Sequence, residues 1–208
     1  MTQPAIEREQ LCSGCNMHAS LVAGIFVGGS SSRMGGRPKG LLRAPSGETL
    51  VERWRGLFDA LAVPCVLVGE RAKEAYASAG LVVLDDERPE DELGPLGGLL
   101  ALLGHAGERA AIAVACDMPF VSLELLRRLA FASVATPAVA ARRDGRWEPF
   151  FARYDAKVVR PTALAHADAR RRSLQALLDA APATELVMTA TEHAELRDWD
   201  TPDDTTTR

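Results

Sequence analysis

Apolar and polar residues fall in blocks along this chain, and the blocks change period. Leu21 to Val27 is an unbroken apolar run bounded by Ser20 and Gly28, the pattern of a strand buried on both faces. Leu50, Val51, Trp54, Leu57, Phe58 and Leu61 then recur at helical spacing with charged residues between them. Pro64 ends that helix, and Cys65 to Val68 reads as a second strand. Arg71 to Ser78 predicts a helix stopped by Gly80, and Leu81 to Leu84 a third strand. A glycine-opened helix is expected over Leu96 to Leu103, a fourth strand over Ala111 to Cys116, and a helix over Leu123 to Phe131 with Leu125, Leu126 and Leu129 on its inner face. Strands alternating with helices indicate an α/β fold with a mostly parallel twisted sheet flanked by helices.

The second half is less regular. Ala138 to Ala141 and Pro149 to Tyr154 flank Asp144-Gly145, a hairpin turn signal, so a hairpin insertion is expected there. Helical segments come next, around Val158 to His166 and Leu174 to Ala181. A last strand is expected at Glu185 to Met188, and a polar tail from Asp198 to Arg208. With no internal repeat or linker, the chain divides into an extension over 1–20, a single domain over 21–204 and a short tail over 205–208.

Bulk properties narrow the classes. The 208 residues, 47% hydrophobic and 25% charged, suffice for one well-buried domain. A net charge of −4 disfavours nucleic acid as the main partner, and Arg170-Arg171-Arg172 reads as a solvated helix end. No apolar run approaches the ~20 residues of a membrane span. Met1 to Gln10 is too polar for a secretory leader, so a cytoplasmic location is expected. Four cysteines are too few for a disulfide scaffold. Cys12 and Cys15, with His18 close behind, lack the second ligand pair of a zinc site and read as part of a non-catalytic extension. Cys65 and Cys116 lie in apolar runs and read as core residues.

Candidate chemistry begins where the first strand ends. Gly28-Gly29-Ser30-Ser31-Ser32-Arg33-Met34-Gly35-Gly36-Arg37-Pro38-Lys39-Gly40 joins glycines, small hydroxyl residues and two spaced cations directly after a buried strand. Successive backbone N–H groups in such a loop form an anion-binding concavity, and Arg33 and Lys39 suit phosphate oxygens. Neither a Walker A spacing nor a G-x-G-x-x-G fingerprint is present. In open parallel sheets ligands bind outside the carboxyl ends of the strands, where Gly28-Gly29, Gly69, Asp85-Asp86 and Cys116-Asp117 all fall. Asp117 suits Mg²⁺, a hard cation that takes carboxylate and phosphate oxygens, and Ser122 is the better-placed cap for the next helix. Gly94-Pro95-Leu96-Gly97-Gly98 brings glycine backbone to the same edge, where a base or sugar can pass closely.

On these residues the chain resembles the molybdenum cofactor guanylyltransferase family, within the nucleotidyltransferases of Rossmann-like fold. The matching motifs are Val27-Gly28-Gly29, Arg33-Met34-Gly35-Gly36 with Lys39-Gly40-Leu41-Leu42, Gly94-Pro95-Leu96-Gly97-Gly98, Cys116-Asp117-Met118-Pro119 and Thr201-Pro202-Asp203-Asp204. The resemblance implies GTP along Phe26, Val27, Gly28 and Gly29, with Val68, Asp86 and Gly97 in the nucleotide pocket. It implies Arg33, Lys39 and Asp117 as catalytic residues and Mg²⁺ on Asp117. Asp200 stands where the family tends to have Asn, as a second metal ligand or a helix cap. Val68 stands where guanylyl enzymes commonly carry Asn, and Val27 where Ala is usual. The implied acceptor is the terminal phosphate of molybdopterin, with the guanine dinucleotide cofactor and pyrophosphate as products. Transient contact with other molybdenum cofactor proteins is also implied. Trp147, Glu148 and Pro149 are acceptor contacts or an ordinary strand start. The alternatives are cytidylyl or sugar-phosphate nucleotidyl transfer, and a non-catalytic nucleotide-binding module.

Overall fold

A computed structural model of the chain describes residues 20–28, 38–69, 72–132 and 136–199. Seven strands form one mixed sheet in the order β3-β2-β1-β4-β6-β5-β7. They are β1 Leu21–Phe26, β2 Cys65–Val68, β3 Val83–Leu84, β4 Ala110–Ala115, β5 Ala138–Arg143, β6 Arg146–Asp155 and β7 Thr184–Glu185. The first four pair in parallel, β6 runs antiparallel to both β4 and β5, and β7 pairs parallel to β5. The expected mostly parallel sheet is therefore observed. The hairpin is no appendage, because β6 docks on β4 and carries the sheet onward.

Strand alternation sorts the apolar side chains onto two faces. Ala23, Ile25, Ile112 and Val114 face one core, filled by Trp54 and Phe58 of α1 (Leu50–Ala60) and by Leu125, Leu126 and Leu129 of α4 (Leu123–Ala130). Val22, Ala111 and Ala113 face the other. That core is filled by the leucines of α3 (Pro95–Ala106), Val159 and Ala163 of α5 (Ala156–Asp168), and Leu174, Leu177 and Leu178 of α6 (Leu174–Ala180). Leu96, Leu99, Leu100, Leu102 and Leu103 are all buried together with Gly97 and Gly98, so most of α3 is covered, while His105 in its last turn is exposed. Caps fix the boundaries: Thr49 and Glu52 form a capping box on α1, and the Ser122 hydroxyl accepts from Leu125 N on α4. No helix among the described residues is long and apolar enough to cross a membrane.

Several expectations shift. The helix expected over Arg71 to Ser78 is a single turn, α2 (Ala72–Ala75), succeeded by a 3-10 turn at Ala77–Ala79, and Gly80 stops it with φ +67°. The last strand is only Thr184–Glu185. A helix that hydrophobic periodicity does not announce, α7 (Ala190–Glu195), begins at a Thr189–Glu192 capping box. The polar tail does not start at Asp198, because Trp199 is buried against Ala44 and Leu50. At the hairpin, Asp144 and Gly145 both adopt positive φ, as a two-residue type I′ turn requires. The β5–β6 register shifts between Ala140 and Ala141, opposite Pro149, which has no N–H to give the ladder.

Candidate active site

The sheet's hydrogen bonding continues beyond the strand ends and aligns the residues just past them. Val27 N donates to the Val68 carbonyl, Gly69 N to the Leu84 carbonyl and Cys116 N to the Phe26 carbonyl, each at 3.0 Å. Gly28, Gly69, Asp85-Asp86 and Asp117 thus sit along one edge, as expected of an open parallel sheet. The backbones at Gly28 and Gly69 approach so closely that a Cβ on Gly69 would lie 2.9 Å from Gly28 N. Gly69 also has φ +141°, a conformation that side chains resist.

Lys39 reaches this edge from a 3-10 turn, Lys39–Leu41. The turn is seated by Gly40, whose N–H donates to the Tyr76 hydroxyl at 3.0 Å. A Cβ at residue 40 would lie 2.7 Å from both Tyr76 Oη and Val51 Cγ2, so only glycine fits. Burial pushes the Tyr76 phenol well above its ordinary range and keeps it neutral. Held this way, Lys39 Nζ donates to Asp117 Oδ2 at 2.8 Å, joining groups 78 residues apart. Both side chains remain partly accessible, at 22% and 18%. Cys116, next to Asp117, is not a nucleophile: burial first, then the Asp117 carboxylate, drive its thiol far upward.

The opposite wall is built around the first turn of α3. A Cβ on Gly98 would lie 3.0 Å from Phe26 and Val68 side-chain carbons and 3.2 Å from Asp86 Oδ1. Phe26, Val68, Asp86 and Gly98 are therefore packed together, and Glu87 N donates to the Gly97 carbonyl at 3.1 Å. Val68 is fully buried, so its side chain shapes the floor of the site from the core. A cavity of about 250 Å³ opens beside Asp86, Arg88, Leu93 and Gly97. Its loop is tied to α5 by Arg160 on Glu87 at 2.8 Å and by Arg88 on Asp168 at 2.6 Å.

Residues 23–189 match the MobA-like NTP transferase domain family. The chain belongs to this family of nucleotidyltransferases. It is 39% identical over 133 residues to the molybdenum cofactor guanylyltransferase of Pseudomonas aeruginosa, an alignment covering 61% of this chain and 64% of that one. A relative of the same name from Pseudomonas putida is 36% identical over 160 residues, covering 74% and 80%. The probable molybdenum cofactor guanylyltransferase of Mycobacterium bovis is 36% identical over 176 residues, covering 80% and 84%. The chain thus spans about two thirds to four fifths of these relatives' lengths. Among solved structures, molybdopterin-guanine dinucleotide biosynthesis protein A from Archaeoglobus fulgidus superposes with a TM-score of 0.70 at 22% identity, covering 88% of this chain and 94% of that one. The 4-diphosphocytidyl-2C-methyl-D-erythritol synthase of Anaerococcus prevotii gives 0.66 at 12% identity, covering 91% and 95%. These two show a shared fold.

Of the residues expected at the site, the fold brings Phe26, Val27, Gly28, Lys39, Val68, Asp86, Gly97 and Asp117 to one edge of the sheet. Gly29, Arg33 and Asp200 lie outside the described residues, as do Cys12 and Cys15. On the hairpin side, Trp147 is a structural post: its indole N–H donates to Asp179 at 2.7 Å, and Arg142 stacks 3.8 Å over its ring. Phe150, displaced by the register shift, meets Phe26 with ring centroids 4.5 Å apart. Glu148 pairs with Arg143 at 2.7 Å, and Arg143 also grips Asp198. Burial raises the Glu148 carboxyl above its ordinary range, although Arg143 opposes the shift.

Sequence reasoning missed Tyr76, Arg143, Asp198 and Trp199. Only Trp199 carried a signal, a large apolar residue inside an otherwise polar stretch.

Proposed function

We propose that this nucleotidyltransferase moves the guanylyl group of GTP onto the terminal phosphate of molybdopterin. An oxygen of the acceptor phosphate attacks the α-phosphorus, the bond to the bridging oxygen of the β-phosphate breaks, and pyrophosphate leaves. The observation that carries this reading is the Lys39–Asp117 pair, fixed where the β1 and β4 ends meet. The acceptor is already anionic, so no base is needed. The barrier lies in bringing anions together, and Lys39 with the β1-end backbone supplies positive charge at that place. Phe26, Asp86, Gly97 and Gly98 form the wall against which the nucleoside lies. Arg33 and Gly29 would add cation and backbone donors from the loop between them.

Among the described residues no three metal-ligating side chains converge. Mg²⁺ in phosphate sites takes one or two carboxylates and completes its shell with substrate oxygens and water, so Asp117 alone fits the ion. Asp117 would hold it, with Asp200 the second candidate ligand. When bound, the ion neutralises charge developing around the α-phosphorus. Cytidylyl transfer is the second reading, favoured by Val68, a buried aliphatic side chain where guanylyl enzymes commonly carry Asn.

The test is pyrophosphate release from each NTP in turn, with Mg²⁺ and molybdopterin present. GTP-selective, acceptor-dependent release is expected. A preference for CTP would overturn the donor and keep the chemistry, and no release with any NTP would overturn both.

A further inference from the structure

The loop that carries Asp117 links β4 to α4, and one remote segment ties both of its ends. Glu195 Oε2 accepts from Ser122 N at 2.8 Å, and Trp199 N donates to the Asp117 carbonyl at 2.9 Å. Between these ties, Leu196 is fully buried, and Trp199 packs against Leu50, edge-on to Phe120. The segment is fastened from the other side by a single guanidinium. Arg143 Nη1 donates to the Leu196 carbonyl at 3.0 Å, and Nη1 and Nη2 reach the two Asp198 oxygens at 2.9 and 3.1 Å. Its Nε faces Glu148 at 2.7 Å.

We infer that Arg143 is a positioning residue for Asp117, acting through the 195–199 segment that it clamps to the hairpin. This rests on the reading of Asp117 as a catalytic carboxylate.

Arg143 closes β5 next to a tight type I′ turn, so its backbone is anchored in the sheet. A planar fork can satisfy two carboxylate oxygens, a carbonyl and a second carboxylate at once, which an ammonium point charge cannot do in fixed directions. Glu148 and Asp198 share this one guanidinium, so removing it takes the cation from both carboxylates at once. The neighbouring Arg142 stacks on Trp147 instead and faces Glu185 at 3.9 Å, away from the segment, which makes it a matched control.

The test uses the full chain with Arg143→Gln, Arg143→Lys and Arg142→Gln. Hydrogen exchange is followed without substrates at the Trp199 amide, the donor to Asp117. In Arg143→Gln this amide should exchange about tenfold faster or more, while β4 amides keep their protection. Its kcat should fall by roughly 10²-fold, the usual cost of a small misplacement, with KM for GTP within about threefold. Arg143→Lys should lie between, and Arg142→Gln should match wild type in both readouts. Unchanged exchange at Trp199 in an active Arg143→Gln variant would overturn the inference, even with a lower Tm. A wild-type enzyme that transfers no nucleotide would overturn the underlying reading of Asp117 instead.

Discussion

On the β3-β2-β1-β4 side, the groups that face the site lie at the end of a parallel strand or in the turn beside it, and close backbone contact sets their place. On the β6-β5-β7 side, the site is bounded by side chains that meet from distant parts of the chain, as Arg143 and Asp198 do across 55 residues. The first kind of construction rests on backbone contact, with ion pairs only on its outer loop, Arg160 on Glu87 and Arg88 on Asp168. The second depends on ionised groups staying ionised. The Lys39–Asp117 pair stands at the seam, with Asp117 hung from β4 and tied by its carbonyl to the second half.

The sharpest probe of the seam is removal of either member of the pair. Asp117→Ala and Lys39→Ala should each lower kcat by roughly 10²–10³, the range for losing one aimed electrostatic contact. Each variant should melt near wild type, since both side chains are partly exposed and the pair is not a core element. Single-turnover rates with saturating GTP would measure the effect. A loss under tenfold would move the chemistry to groups outside this edge.

The backbone-built half is tested by filling its close contacts. Gly40→Ala places a methyl 2.7 Å from Tyr76 Oη and Val51, and should destabilise by about 1–3 kcal/mol, as overpacking does. Tyr76→Phe leaves the Gly40 N–H buried without its acceptor and should cost a similar ~1–3 kcal/mol. Gly56→Ala in α1 is the control, because nothing lies within 4 Å of the added atom. There the gain in helix propensity should win, by up to about 1 kcal/mol. Urea midpoints order the three variants, and a neutral Gly40→Ala would mean that this half yields where the geometry says it cannot.

These two kinds of construction also explain what could be read from sequence. Most strand and helix positions from Leu21 to Phe131 emerge from periodicity because both faces of the sheet are buried and apolar residues repeat on schedule. The exceptions are the expected Arg71 to Ser78 helix, a single turn, and the expected Leu81 to Leu84 strand, only Val83–Leu84. The alignment of Gly28, Gly69, Asp86 and Asp117 comes from a topological rule that needs only strand order. Nothing local marks Arg143 or Asp198, since either could be a solvated surface charge. Tyr76 sits past a helix too short to show a period, and its partner is a backbone N–H. The helix α7 goes unread, because it buries no residue and so shows no apolar stripe; its one local signal is the capping box of Thr189 with Glu192.

The smallest expected effect separates the halves by pH. Glu192 caps α7, and its carboxyl is held down to about 2, first by the Arg128 guanidinium and then by the Thr189 N–H. A carboxylate lowered in the folded state contributes stability in full above its ordinary value of 4.5, and that contribution fades as pH falls toward 2. Protonation of Glu192 removes the pairing with Arg128. Melting wild type and Glu192→Gln side by side should show a gap in Tm at pH 6 that narrows below pH ~4.5 and closes near pH ~2. The Gly40→Ala gap involves no ionised group and should not close over the same interval. If both gaps narrow together, acid is loosening the whole sheet and the two halves do not differ in the way their contacts indicate. If only the Glu192 gap narrows, the β6-β5-β7 half is the one held by charge.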